Sequence, residues 1–239
     1  RVAGILVVDI GGNNVKVRHS EVPDKRKASS GPAMTPAQMV AKVRALTPDW
    51  DYDCISVGCP GPVADNRLLI EPVNLGKGWL GFDFASAFGK PTRVINDAAM
   101  QALGSYDGGK MLFLGLGTGL GACMVVDGIV LPLEVAHLPY RSKFTFEDCV
   151  GTRGLVRMKP ARWEKAVHDT VARLKAALVA DYVVLGGGNA KKLKKLPKGS
   201  RRGDNDNAFT GGFRLWADAM PAKAEAAQGP GLAQQPQAA

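Results

Sequence analysis

The sequence predicts an α/β protein built from two related halves. Three observations carry this reading. Short apolar, β-branched runs alternate along the chain with segments of helical periodicity. A strand enters a glycine-rich turn and leaves as a second strand twice, near residue 10 and again near residue 118. A third strand, 182–185, ends in Gly186-Gly187-Gly188. The repeated unit implies that each half offers a hairpin turn to one shared cleft.

The elements follow in order. Residues 3–8 form a buried strand, Asp9 follows, and Gly11-Gly12 make a tight turn into a second strand whose Val15 and Val17 alternate with Lys16 and Arg18. Residues 21–35 read as a polar loop ending in Thr35-Pro36, an N-cap followed by proline at the first helical position, which starts a helix to about residue 46. Residues 55–59 are a short strand stopped by Pro60-Gly61-Pro62, and 92–95 another that hands over at Asn96-Asp97 to a helix over 98–106. Strands at 111–116 and 122–126 flank Gly117-Thr118-Gly119-Leu120-Gly121, and Asp127-Gly128 turns again. Trp163, Val167, Val171, Leu174 and Leu178 recur at helical spacing, so 162–179 is an amphipathic helix. A basic helix is expected after Gly188 and a last helix over 205–219; residues 220–239 lack periodicity and read as a disordered tail.

Composition narrows the function. The chain has 239 residues, 46% of them hydrophobic, enough for a substantial core. No apolar run approaches the ~20 residues of a membrane span, and the first residues lack the order of a signal peptide, so a cytoplasmic protein with no membrane partner is expected. Cys54, Cys59, Cys123 and Cys149 form no C-x-x-C pair and read as free thiols. Net charge is +9, with part of the excess at 191–202. Such a run is ordinarily a solvated face, although it suits a polyanion; aromatics are only 7% of the chain and none lies in the run, which argues against nucleic acid.

The glycine turns are phosphate-cradling in character. No G-x-x-x-x-G-K-[ST] string is present, and Gly117 to Gly121 leads into a strand rather than opening a helix as a dinucleotide fingerprint does. A glycine hairpin instead turns successive amides toward phosphate oxygens.

The string Asp9-Ile-Gly-Gly-Asn-Asn-Val-Lys16 resembles the first phosphate motif of the ROK family of sugar kinases, Leu116-Gly-Thr-Gly-Leu-Gly121 the second, and Val184-Leu-Gly-Gly-Gly-Asn189 the adenosine motif. Between them Cys59-Pro-Gly-Pro-Val63, Asn74-Leu75, Asn96-Asp97 and Glu134-x-x-His137 occur in the family's order. The resemblance is nearest to the glucokinase and polyphosphate-glucokinase branch. It implies an actin-like ATPase (ribonuclease H-like) fold with two α/β lobes around a central cleft. Residues 1–96 would make the N-terminal lobe, completed by the final helix, and 97–204 the C-terminal lobe.

The resemblance also implies roles. Asp97 would be the general base on the 6-hydroxyl of glucose or a similar hexose, with helix N-capping as the ordinary alternative. Pro60, Gly61, Asn74, Asn96, Glu134, His137 and Glu147 would bind the sugar. Gly11, Gly12, Asn13, Asn14, Lys16, Gly117, Thr118, Gly119, Gly121, Gly186, Gly187 and Gly188 would bind the donor, ATP or inorganic polyphosphate. Asp9 would hold Mg²⁺ through water. His137 binds zinc with nearby cysteines in many members, but only Cys149 follows it here, so no zinc site is expected. A homodimer is usual. Two positions depart from the pattern: Asn13 replaces a threonine, and Ala136 replaces the glycine before the histidine. If position 136 needs positive φ, alanine is strained there. That strain motivates a second reading, a catalytically degenerate sugar-binding protein or regulator. Family repressors carry a DNA-binding segment ahead of the first motif, which here begins within ten residues of the start.

Overall fold

The computed structural model describes residues 4–217; the expectations for the first residues and for the tail at 220–239 lie outside the described residues, as do positions 218 and 219 of the last helix. Strands β1 (Ile5–Ile10), β2 (Asn14–His19) and β3 (Lys25–Ser29) form a meander, and helix α1 (Pro36–Leu46) leads to β4 (Cys54–Cys59). A small hairpin of β5 (Val63–Ala64) and β6 (Arg67–Leu68) and the short α2 (Phe84–Phe88) precede β7 (Thr92–Asn96). Helix α3 (Asp97–Ser105) carries the chain to β8 (Lys110–Leu116), β9 (Leu120–Val126) and β10 (Ile129–Leu133). Hairpin β11 (Pro139–Arg141) and β12 (Phe144–Thr145) is followed by α4 (Phe146–Val150), α5 (Thr152–Arg157) and α6 (Pro160–Ala177). Strand β13 (Tyr182–Gly186), a 3₁₀ turn over Gly188–Lys192, β14 (Ser200–Arg202) and α7 (Asn207–Arg214) complete it.

The two halves share one topology. The first sheet runs β3-β2-β1-β4-β7 and the second β10-β9-β8-β13-β14. In each, three antiparallel strands joined by hairpins are extended by parallel strands reached through helical crossovers. Each sheet has its own apolar core: Leu6, Val57 and Trp79 belong to the first, Leu112, Leu185 and Trp163 to the second. Helices α3 and α7 pack on the remaining faces, where Ile5 and Val7 meet Met100 and Phe209.

Two local expectations are corrected. Residues 25–29, read as loop, are an edge strand with alternating exposure, its charged Lys25 and Lys27 turned to water. Charge on a sheet edge blocks pairing with another chain while hiding the strand from pattern reading. The basic helix after Gly188 is only a single 3₁₀ turn, and Pro197 lies before β14. A lysine run without an apolar stripe has no face to bury, and proline closes off further helix.

Candidate active site

The parallel strands decide where the site lies. Asp9 on β1 is in register with Gly58 on β4, and Gly58 with Ile95 on β7, one residue before Asn96. The carboxyl ends of these strands therefore deliver Asp9, the 60–62 turn and Asn96-Asp97 to one edge, the usual location of a ligand crevice in an α/β sheet. There a cleft of about 540 Å³ opens between the halves. Asp9, Gly11 and Lys16 line it from the first hairpin, and Gly117, Gly119 and Gly121 from the second. The Lys16 ammonium stands 3.2 Å from the Asp9 carboxylate across the β1–β2 pair.

The third glycine turn is bound to the second. Gly187 has φ of 80°, and a Cβ there would lie 2.4 Å from the Leu116 carbonyl oxygen, so only glycine allows this approach. Asn189 donates from Nδ2 to the Gly117 carbonyl at 2.9 Å and to Thr152 Oγ1 at 3.0 Å. Thr152 in turn donates to the same carbonyl at 2.9 Å. The loop that would face phosphates is thus held from behind.

Asp97 is the pivot of the site. Two readings competed for it, base and helix cap, and the cap belongs to its neighbour. The Asn96 side chain accepts from the Ala99 amide at 3.1 Å and donates to the Gly61 carbonyl at 3.0 Å, capping α3 and anchoring the 60–62 turn together. The Asp97 carboxylate accepts from the adjacent Ala98 amide at 2.8 Å and, among the described residues, from no side chain. Burial first, and the Asp9 charge second, push its carboxyl up to about 7. Beneath it the buried Cys59 thiol is driven well up by burial and then by the charges of Asp97 and Asp9. Asp97 also lies in the wall of a second, smaller cavity of about 210 Å³, lined by Pro62, Asn96 and Glu134. It therefore faces a glycine-walled cleft on one side and, on the other, a small cavity of mostly apolar walls whose polar side chains are Asn96, Asp97 and Glu134.

The remaining residues sort by position. Gly61 and Glu147 line the larger cleft. Glu147 accepts from the Leu120 amide at 3.3 Å through one carboxylate oxygen and from Arg153 at 3.0 Å through the other. Its own amide donates to the Ala136 carbonyl at 3.0 Å, which ties it to the 134–137 segment. Pro60, Asn74 and the exposed His137 line neither cavity, although Asn74 stands beside Gly12, where an added Cβ would come within 3.2 Å of its side chain. Asn13, Asn14, Gly12, Thr118, Gly186 and Gly188 belong to the turns without lining the cleft. Sequence reading missed Gln101 and Asn205, which line the cleft and hydrogen-bond to each other at 3.2 Å. Gln101 stands four residues after Asp97 on one helix face, a spacing that could have found it; Asn205 carried no local signal.

The concern over Ala136 is removed. Among the described residues the non-glycine positions of positive φ are Asp65, Asn66, Asp127, Ser142 and Val179, and Ala136 is not among them. It is instead a buried member of the second core. Ala136→Gly is expected to lower stability by about 0.4–1 kcal/mol, since glycine enlarges the unfolded ensemble with no strain to relieve. A higher melting temperature for that variant would show the opposite.

No family model matches the chain. A polyphosphate glucokinase of Mycobacterium tuberculosis is 23% identical over 212 residues, covering 79% of this chain and 78% of that protein. Among solved structures, the inorganic polyphosphate/ATP-glucomannokinase of Arthrobacter sp. strain KM superposes with a TM-score of 0.75 at 21% identity, covering 91% of this chain and 99% of that one. A ROK family glucokinase from Streptomyces griseus, in complex with glucose and AMPPNP, gives 0.68 at 15% identity over 90% and 99% of the two chains. This chain has the ROK sugar-kinase fold. The paired hairpins of the ROK fold, one from each half, explain why the glycine motifs near residues 10 and 118 meet across a single cleft.

Proposed function

We propose that the chain is a hexose kinase that moves a terminal phosphoryl group from ATP or inorganic polyphosphate to the 6-hydroxyl of glucose or a similar sugar. The observation that carries this reading is Asp97, a carboxyl pushed up to about 7 in the wall shared by the glycine cleft and the smaller cavity that also holds Asn96 and Glu134. The sugar occupies the smaller cavity, with Glu134 and Asn96 accepting from its hydroxyls and Glu147 approaching from α4 on the side of the larger cleft. Asp97 takes the proton from the attacking hydroxyl as its oxygen bonds to phosphorus, and the shortened donor departs along the glycine turns. Lys16 offers its ammonium to the transferred oxygens.

Asp9 fits a role beside Mg²⁺. One of its oxygens is engaged by Lys16 while the side chain lines the cleft, which leaves acceptor capacity for the water shell this hard cation retains. When bound, the ion supplies neutralisation of phosphate charge. Among the described residues those lining the larger cleft include no aromatic side chain, which favours a donor recognised by its phosphates over one held by its base. Residues 1–96 and 97–204 act as the two lobes, closing on the sugar to exclude water. Four buried free thiols fit the reducing cytoplasm. Among the described residues no helix is long and apolar enough to cross a membrane.

A glucose 6-phosphate-coupled assay with Mg²⁺, run in parallel with ATP and with long-chain polyphosphate, tests the proposal. Sugar phosphorylation by at least one donor is expected. Flat traces with both donors across a panel of hexoses would sink it.

A further inference from the structure

Two basic clusters lie far apart in the sequence, at 157–165 and at 191–202, and the fold brings Lys192 and Lys194 of the second to the face of the first. A groove of about 1010 Å³ follows the start of α6, lined by Arg157, Lys159, Arg162 and Lys165 and, among the described residues, by no carboxylate. A second hollow of about 370 Å³ shares Lys165 with it and adds Lys192 and Lys194. The one acid in that hollow, Glu164, is already occupied by the Lys194 and Lys195 amides at 3.0 and 3.3 Å. Among the described residues Lys159, Arg162, Lys165, Lys192 and Lys194 are exposed and make no ion pair.

The start of α6 is charged against its own dipole. Lys159 is the N-cap, its side chain makes no capping bond, and the first turn holds no acid. Lys159, Arg162 and Lys165 recur every third residue and so crowd like charges on one face beside the positive end of the helix. An anion laid along this face turns each of those repulsions into attraction. The cations are strung across two hollows rather than gathered at a point, which suits an extended ligand over a single phosphate. Among the described residues the one aromatic ring lining the groove is Phe144, and Arg157 already lies over it at 4.1 Å, competing with a base for that face. The groove also lies back to back with the cleft, since α4 contributes Cys149 to the groove and Glu147 to the cleft.

We propose that this face is a docking track for linear inorganic polyphosphate, holding a long donor outside the cleft. The inference rests on the kinase reading for its purpose but is tested apart from it. Binding of long-chain polyphosphate by the full chain is measured over a salt series. The comparison is with a Lys159→Gln, Arg162→Gln, Lys165→Gln variant and a Lys192→Gln, Lys194→Gln variant. The triple variant is expected to lose about tenfold or more in affinity at low salt, and the slope of log affinity against log salt to flatten by about 2, at ~0.7 per cation. Its melting temperature should hold or rise, and affinity for tripolyphosphate, short enough for the cleft alone, should be unchanged. The track is overturned by unchanged affinity and slope, by an equal loss for tripolyphosphate, or by RNA that binds as tightly with the same dependence on these residues. Because binding is read without turnover, polyphosphate held on this face by a protein that phosphorylates no sugar would overturn the kinase reading and leave the track standing.

Discussion

Asp97→Asn is expected to cut sugar phosphorylation by about 10²- to 10⁴-fold, the range over which a general base contributes, while glucose binding measured by calorimetry survives. Asparagine fills the same space but cannot take the hydroxyl proton, and the cap of α3 stays with Asn96. The wild-type rate should climb with pH through about 7 as Asp97 ionises, and the residual rate of the variant should lose that limb. Stability moves the other way. The folded carboxyl, at about 7, holds its proton where the unfolded one, near the ordinary 3.8, has released it. The folded state therefore binds more protons between those values, and stability falls as pH rises across that window. The variant escapes this loss and is expected to be more stable than wild type at pH 8 by about 2 kcal/mol, a figure reduced for the partial exposure of the site. Melting curves at about pH 4 and pH 8 read the difference. A variant that keeps turnover within tenfold would remove Asp97 from the reaction.

Gly211→Ala should be among the most damaging single changes outside the cleft. A Cβ at position 211 would stand 1.8 Å from the Met100 carbonyl oxygen and 2.9 Å from the Gly104 amide nitrogen, so α7 must move off α3. Backbone cannot yield as a side chain tip can, and a loss of about 3 kcal/mol is expected, which lowers the melting temperature by roughly 6–12 °C for a chain of this size. Activity should fall with it, because α3 carries Asp97 and the bond between Gln101 and Asn205 spans the same contact. An unshifted melting curve would mean that the two helices are not in this close contact.

What could be read from the sequence was whatever chemistry is local. The turns at residues 11–12 and 117–121 announce themselves because glycine recurs there at adjacent or alternate positions, leaving bare backbone at Gly11, Gly117, Gly119 and Gly121 to wall the cleft. The helix over 160–177 does so because an apolar stripe sustained over many turns rarely arises except on a buried helix face. Strand β3 was hidden because an edge strand can be charged on its outer face and still pair on its inner side. The division of labour at 96 and 97 was undecidable by residue type, since asparagine and aspartate both cap helices; only the bonds to Ala99 and Gly61 assign the cap to Asn96. Asn205 belongs to the cleft solely through the packing of α7 on α3, which no short window of sequence expresses. The two basic clusters met for the same reason.

The position of α7 has a consequence for synthesis. Its Gly212 lies against Val7, Ser56 Oγ donates to the Gly212 carbonyl at 2.6 Å, and Trp216 Nε1 donates to that same hydroxyl at 2.9 Å. The strands it covers are translated about 150–200 residues before it. At ~5–20 residues per second, that leaves the apolar face of Ile5, Val7 and Cys54 uncovered for roughly 10–40 s on every nascent chain. During that interval the first half is a sheet with one bare side and an incomplete cleft. The fold is born open, and α7 is the part that shuts it.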